Sequence, residues 1–480
     1  MPRMSRRAFL AGMAGAVAAA GPLVLSARAA GASNAVRLAV AGLQRRGPQL
    51  TKLFQKVPGV RIAGLSDVDR QFLDAAMRQF GDDGTRAEID FRRFLDAPDV
   101  DAVVLATPDH WHALQAVWAC QAGKDVYVEK PVSYDVWEGR QMLAAAEKYG
   151  RIVATGTQNR SCTGLREARA WLKEGHLGAI RTAYGRDYPG RKPIGRVDGP
   201  QPPPPTVDFN LFRGPAPLRP PRRRTFHYDW HWFWDVGTGD CGNRGVHTFD
   251  HTRWFMDEAA VPPRVITIGG RFGWDDDGET PNTQVTLFDY EPAPMLWEMH
   301  GLPGDRGGKP GQIFHRLGGS MVLMCENGYL CGWRGGGCAF DSDRKPVQRF
   351  KGDGGEGHYA NFIEAVRSRK AEGLRAPLRD GHVSSVLCHA ANVSYLVGRR
   401  VSPEEARKAV ADHEVLSAAL DRMIANLEAN GVDLSKTPLT LGPWLGLDPE
   451  TERFTGEAAD LASMYWQRTY RRPFVMPEEV

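Results

Sequence analysis

Residues 36–50 read VRLAVAGLQRRGPQL. The first six are an apolar run of strand length, and the last few open a stretch with helical spacing. The loop between them is therefore a strand-to-helix turn of an α/β sheet. A dinucleotide-binding turn at such a place carries three glycines, G-x-G-x-x-G. This one keeps Gly42 and Gly47 and has Gln44 at the middle position. Gly42 suits the tight turn that ends the strand, and Gly47 suits close packing of helix on sheet. The missing glycine is the one that lets backbone approach a pyrophosphate. Arg45 and Arg46 can share that duty, since guanidinium groups bind phosphate well. Asp67, at the end of the next strand-like run, falls about 20 residues past the loop, where a carboxylate accepts ribose hydroxyls. On the loop alone, a turn that binds nothing remains an equal reading.

Working outward, VRIAGLSD, VDAVVLAT, DVYVEK and RIVATG alternate with helical stretches at 69–80, 110–122 and 135–149. Alternation on this scale predicts a parallel sheet with right-handed crossovers. After an amphipathic helix at 164–175 comes a long Pro/Gly/Arg loop, 189–224. Loops of that length are usually functional or cover something. Strands then return, and SMVLMCENGYLCGW (320–333) predicts a hairpin with a type I′ turn at Asn327-Gly328. Helices follow at 357–370, 382–398 and 413–430. The tail from 433 keeps its aromatics and reads as an ordered wrapping segment.

Composition narrows the function classes. A net charge of +4 over 480 residues, with scattered Lys and Arg, gives no nucleic-acid surface. The N-terminal SRRAFLAGMAGAVAAAGPLVLSARA (5–29) has paired arginines, a mildly apolar Ala/Gly-rich run and small residues at its end. Residues 1–32 are read as a twin-arginine signal, with export to the periplasm and no stable membrane span after cleavage. Pro22 and the glycines make that run a poor spanning helix. Of the seven cysteines, Cys325, Cys331 and Cys338 cluster at spacings unlike those of zinc sites. A Cys325–Cys331 bridge across the hairpin is one reading; buried or free thiols are the plainer one.

Two further motifs end parallel strands on the edge where open α/β sheets bind ligands. LATPDHWHA places Thr107, Pro108, His110 and His112 there, and VYVEKPVS places Glu129, Lys130 and Pro131. Taken in order with VATGTQNRS (153–161), they resemble the glucose–fructose oxidoreductase/inositol dehydrogenase (Gfo/Idh/MocA) family. The resemblance is close over the nucleotide domain and loose beyond it. It implies an α/β chain: a Rossmann domain at 33–156, then an α+β substrate domain at 157–400 with an open, largely antiparallel sheet. A helical and irregular segment, 401–480, follows.

The resemblance also implies roles. Lys130 would sit between nicotinamide and substrate. Gly42, Arg46, Gly47, Asp67, Thr107, Pro108, His110, Glu129 and Lys130 would hold NAD, with NADP left open by Arg45. The family's D-x-G-x-H signature aligns with Asn243, Gly245 and His247, so His247 becomes the general base and Asn243 replaces the acid. Asp240 or Asp250 is the expected source of the lost charge. FHYDWHWFWD (226–235) supplies a candidate sugar wall, with His231 and Trp232 as contacts beside Asp240, Asn243 and Asp250. His247, Asp250 and His251 share a helix face, but no third ligand is evident and no metal is expected. The expected protein is a homo-oligomeric NAD(P)-dependent oxidoreductase acting on a small carbohydrate. Its rivals are a redox-neutral glycoside-cleaving enzyme and a non-catalytic sugar-binding relative.

Overall fold

The computed structural model describes residues 35–303 and 320–480. The twin-arginine stretch lies outside the described residues. Six strands, β1 (Val36–Ala41), β2 (Val60–Ser66), β3 (Arg86–Glu88), β4 (Ala102–Leu105), β5 (Asp125–Val128) and β6 (Val153–Thr155), pair in parallel in the order β3-β2-β1-β4-β5-β6. Their apolar runs are continuous because both faces are covered; Leu38, Val40, Val103 and Val104 are fully buried. The order reverses between β1 and β4. A crevice opens at their carboxyl ends, where Gly42 and Thr107 stand.

The second sheet contains β7 (Ile180–Asp187), β8 (Arg264–Gly270), β9 (Thr283–Phe288), β10 (Met295–His300), β11 (Met321–Cys325), β12 (Gly328–Trp333), β13 (Gly336–Asp341), β14 (Pro346–Lys351), β15 (Arg399–Val401) and β16 (Leu439–Leu441). They run β14-β13-β12-β11-β7-β10-β9-β8-β16-β15, and among these pairings only β7 with β10 is parallel. Helices Val246–Met256 and Leu378–Leu396 pack on one face. Helix Glu414–Ala429 covers part of the other, burying Leu420 and Met423 among Ile268, Leu287 and Leu296.

Two local expectations are corrected, and the cysteines follow the plainer reading. The hairpin forms, but its two-residue turn is Glu326-Asn327, and neither residue has positive φ, so the turn is not type I′. Gly328 instead opens β12 at φ +145, where a Cβ would stand 2.0 Å from the Phe340 carbonyl oxygen. Across the sheet Cys331 faces Cys338 rather than Cys325, and all seven cysteines are free thiols. Helix His358–Ser368 does not stay with the second sheet. Its Tyr359, Phe362 and Ile363 complete the nucleotide-domain core around Phe54 and Tyr127.

The tail first joins the second sheet through β16, and its end then wraps the outer side of the nucleotide domain. Phe474 packs edge-on against Trp111, and Arg471 donates to the Gly214 carbonyl. No residue of 433–480 lines the main cavity, so the tail does not cover a cofactor there. Among the described residues no helix is long and apolar enough to cross a membrane.

Candidate active site

The two glycines of the first turn are each fixed by a contact. Gly42 has φ +86, and a Cβ on it would lie 2.4 Å from the Ala106 carbonyl oxygen of the neighbouring strand end. A Cβ on Gly47 would lie 1.8 Å from the Gly42 oxygen. No such constraint falls on Gln44, so the turn keeps its shape with two glycines. Asp67 locks it: its carboxylate accepts from the Leu43 amide at 2.6 Å and the Asp69 amide at 2.8 Å. Burial pushes Asp67 up to about 6 against those hydrogen bonds.

A cavity of about 390 Å³ runs from this turn and Asp67, past Thr107 and Pro108, to Lys130, Asn243 and His247. Gly42, Arg46 and Glu129 line it as well; Gly47 lies buried behind the turn. Arg46 is not a free phosphate ligand. Its Nε donates to Glu129 at 2.7 Å and its Nη2 to the Tyr359 hydroxyl at 3.1 Å. Burial pushes Glu129 up, but the Arg46 and Lys130 charges outweigh it and hold the carboxyl below its ordinary value. His110 is a buttress rather than a cofactor contact. It is fully buried, with ring nitrogens facing the carbonyls of Val236 (3.1 Å) and Phe212 (2.9 Å). The residue two positions on was given no role by sequence and is better placed. His112 lines the cavity, contacts the Pro131 carbonyl through Nδ1 at 2.6 Å, and leaves Nε2 buried without a partner. Gln158 likewise lines the cavity with its Oε1 buried and unpartnered.

The catalytic end joins the two domains. Lys130 Nζ donates to the Asn243 backbone oxygen at 2.7 Å. Burial lowers the lysine, and Glu129 and Asp109 partly restore it. Asn243 belongs to a single π-helical turn, Cys241–Gly245, which runs directly into the helix bearing His247. Such turns recur at functional sites. Burial, and then the Lys130 and Arg46 charges, hold His247 well below its ordinary value, so its imidazole is neutral at pH 7. His231 lines the same cavity, stacked on Trp230 and bound through Nδ1 to the Tyr228 carbonyl at 2.6 Å. Burial, followed by Lys130, Arg191 and Arg45, brings it down to about 3.

Three expected substrate contacts lie elsewhere. Asp240 pairs with Arg191 (Nε–Oδ2 2.8 Å) and touches Asn243 Nδ2 only at 3.5 Å. Asp250 is buried against Arg160 at 2.9 Å and Ser384 at 3.0 Å, so it serves no imidazole of this cavity. Trp232 lies buried under Arg191, 4.6 Å from the guanidinium. The aromatic stretch thus divides. Trp232 and Phe233 are core, while Tyr228, Trp230 and His231 face the cavity. His251 is taken by Asn159 at 3.0 Å. Among the described residues no cluster of His, Cys, Asp or Glu is arranged to hold a metal.

These features suit a dinucleotide. A tight turn closes the first strand, a carboxylate follows β2, and two buried acceptors remain unpartnered along the cavity. Comparison with known proteins agrees. Residues 36–157 match the model described as oxidoreductase family, NAD-binding Rossmann fold (GFO_IDH_MocA). Residues 194–283 match the C-terminal alpha/beta domain of the same oxidoreductase family. A glycosyl hydrolase family 109 protein of Saccharopolyspora erythraea is 35% identical over 127 residues, 25% of this chain and 28% of that protein. Levoglucosan dehydrogenase of Pseudarthrobacter phenanthrenivorans is 28% identical over 255 residues, 50% of this chain and 56% of its own. The matches therefore span roughly a quarter to a half of these relatives. A solved levoglucosan dehydrogenase in complex with NADH and levoglucosan shares the fold, with TM-score 0.56 and 17% identity over 74% of this chain and 96% of that one.

Proposed function

We propose that this chain, whose residues 36–157 and 194–283 match the two Gfo/Idh/MocA oxidoreductase models and whose cofactor is NAD, oxidises a hydroxyl of a sugar, glycoside or polyol. We further propose that it keeps its nucleotide bound and recycles it. The observation that carries the reading is the Lys130–Asn243 tie. It brings the amine of the nucleotide domain beside the turn that leads to His247, in one cavity with the nucleotide loop.

Bound NAD supplies a hydride acceptor for the carbinol carbon. The chain's own residues do the proton work. His247, held neutral by burial and neighbouring cations, accepts the hydroxyl proton. Lys130 stabilises the oxygen as charge develops on it. Asn243 holds the ammonium in place through its carbonyl and carries no charge that would raise the basicity of His247. Asp240 and Asp250 are both engaged elsewhere, so no carboxylate raises the basicity of His247, and the site keeps the imidazole neutral rather than strongly basic.

A second reading, redox-neutral cleavage of a glycoside through a transient keto-sugar, is supported by one feature. The cavity holds three imidazoles below their ordinary values, His227, His231 and His247, and simple oxidation needs one base. The relative named for glycosyl hydrolase family 109 makes this reading pertinent. Export by the Arg6-Arg7 signal is part of the proposal, since a folded, nucleotide-loaded protein reconciles an internal cofactor with an external address. The test is product analysis of nucleotide-loaded protein given para-nitrophenyl glycosides of glucose and N-acetylgalactosamine without added NAD. A keto-sugar with reduced bound nucleotide supports oxidation. Released nitrophenol with the nucleotide unchanged supports cleavage. Neither product overturns both.

A further inference from the structure

The segment between β7 and the π-helical turn crosses back over the nucleotide domain. Val207 bridges Asp69, Arg70 N–H donates to the Thr206 carbonyl, and Asp208 N–H donates to that of Val68. His227 Nε2 lies 2.6 Å from Asp69 Oδ2, two residues past Asp67. This strap puts Phe212, His227, Tyr228 and His231 on the cavity wall opposite the Gly42–Arg46 turn. A dinucleotide in the cavity lies between the turn and the strap.

One contact joins the two directly. The Arg45 guanidinium stands 4.4 Å from the centre of the Tyr228 ring. Arg45 is the N-cap residue of helix Arg46–Gln55, lines the cavity and is exposed. Among the described residues no carboxylate pairs with it, whereas Arg46 beside it is spent on Glu129. Tyr228 is itself held: its hydroxyl accepts from Arg191 Nη1 at 3.0 Å, and Arg191 is anchored on Asp240. The chain Arg45–Tyr228–Arg191–Asp240 therefore runs from the nucleotide turn into the substrate domain.

We propose that Arg45 and Tyr228 form a latch across the nucleotide cleft, and that Arg45 is a positioning residue for the pyrophosphate. The argument rests on the NAD-binding reading of the cavity. An arginine held over a ring engages it through the guanidinium face, and its N–H groups, which lie in the guanidinium plane, remain free to meet phosphate oxygens. The missing middle glycine is then offset, because the anion contact that close backbone approach would supply comes from a side chain. The same side chain couples that anion to the strap, so an occupied cleft is a closed one. This gives the slow nucleotide release that recycling requires.

The test follows release of bound NADH by stopped-flow fluorescence after mixing the loaded, full-length protein with excess NAD, with melting midpoints of the nucleotide-free forms alongside. Arg45→Gln and Tyr228→Leu are each expected to speed release about tenfold, and the double variant no more than about tenfold, since both cut one connection. Arg45→Lys and Tyr228→Phe keep the charge and the ring respectively, and should stay within about threefold of the parent. Release should also speed up with salt in the parent and much less in Arg45→Gln. Multiplying effects in the double variant, or unchanged release in either single variant, would overturn the latch. Failure of the parent to bind NADH at all would instead overturn the nucleotide reading beneath it.

Discussion

Lys130 Nζ lies 2.7 Å from the Asn243 backbone oxygen and 3.5 Å from its Oδ1, so the end of a Rossmann strand and the start of the His247 helix meet at one ammonium. The shorter bond uses backbone and does not depend on the side chain at position 243. Lys130→Met is therefore expected to lower turnover by at least about a hundredfold while NAD affinity stays within about threefold. His247→Asn should show the same split. Calorimetric NAD binding beside steady-state rates checks both; a parallel loss of binding and rate would mark a structural role.

The pH profile follows from the same pair. In the proposed mechanism His247 acts as the neutral imidazole, and burial with Lys130 and Arg46 places its protonation well below the ordinary histidine value. Turnover should thus stay flat as pH falls through about 6.5 and drop only at more acid pH. Lys130 acts as the ammonium, and burial lowers it. The alkaline limb should therefore begin below the ordinary lysine value of about 10.4. Rates across that range, with Lys130→Arg to push the alkaline limb upward, measure both edges.

Much of this was legible beforehand because it is local. The period-2 and period-3.6 runs gave the alternating sheet, and Gly42, Gly47, Lys130 and His247 were readable from spacing and resemblance. What escaped was set by partners distant in sequence. His110 and His112 are two residues apart, yet one meets carbonyls more than 100 residues away and the other lines the cavity. Asp240 and Asp250 flank His247 in sequence, but Arg191 and Arg160 claim them. Helix His358–Ser368 follows the second sheet in sequence, yet its Tyr359, Phe362 and Ile363 pack against Phe54 and Tyr127 more than 200 residues away.

The glycines make a sharp contrast. Gly47→Ala would press a methyl group onto the Gly42 carbonyl, at 1.8 Å unless the helix moves. It should cost more than about 2 kcal/mol of stability and abolish NAD binding. Gln44→Gly, which restores the three-glycine pattern, meets no such constraint and should leave NAD affinity within about threefold. Thermal melts and calorimetry on the two variants decide it.

Asp67 serves the turn, and in the proposed reading it also meets the ribose. Asp67→Ala should destabilise the protein by about 1–3 kcal/mol, because the buried Leu43 and Asp69 amides lose their acceptor. It should also weaken NAD about tenfold and narrow the preference over NADP. Asp67→Asn keeps one acceptor oxygen and should recover part of the stability but not the discrimination. Equal losses for NAD and NADP in both variants would confine Asp67 to the turn.

In the proposed function one cavity holds the nucleotide and oxidises a carbinol with Lys130 and His247. Its most direct test is a single turnover: the purified, nucleotide-loaded chain mixed with levoglucosan, glucose or myo-inositol, no free NAD added, and the reduced-nicotinamide absorbance followed. Reduction of the bound nucleotide with at least one of these in the parent, slowed about a hundredfold or more in His247→Asn and Lys130→Met, is the predicted result. Loaded protein that shows no reduction with any of them, or variants that reduce as fast as the parent, would contradict it.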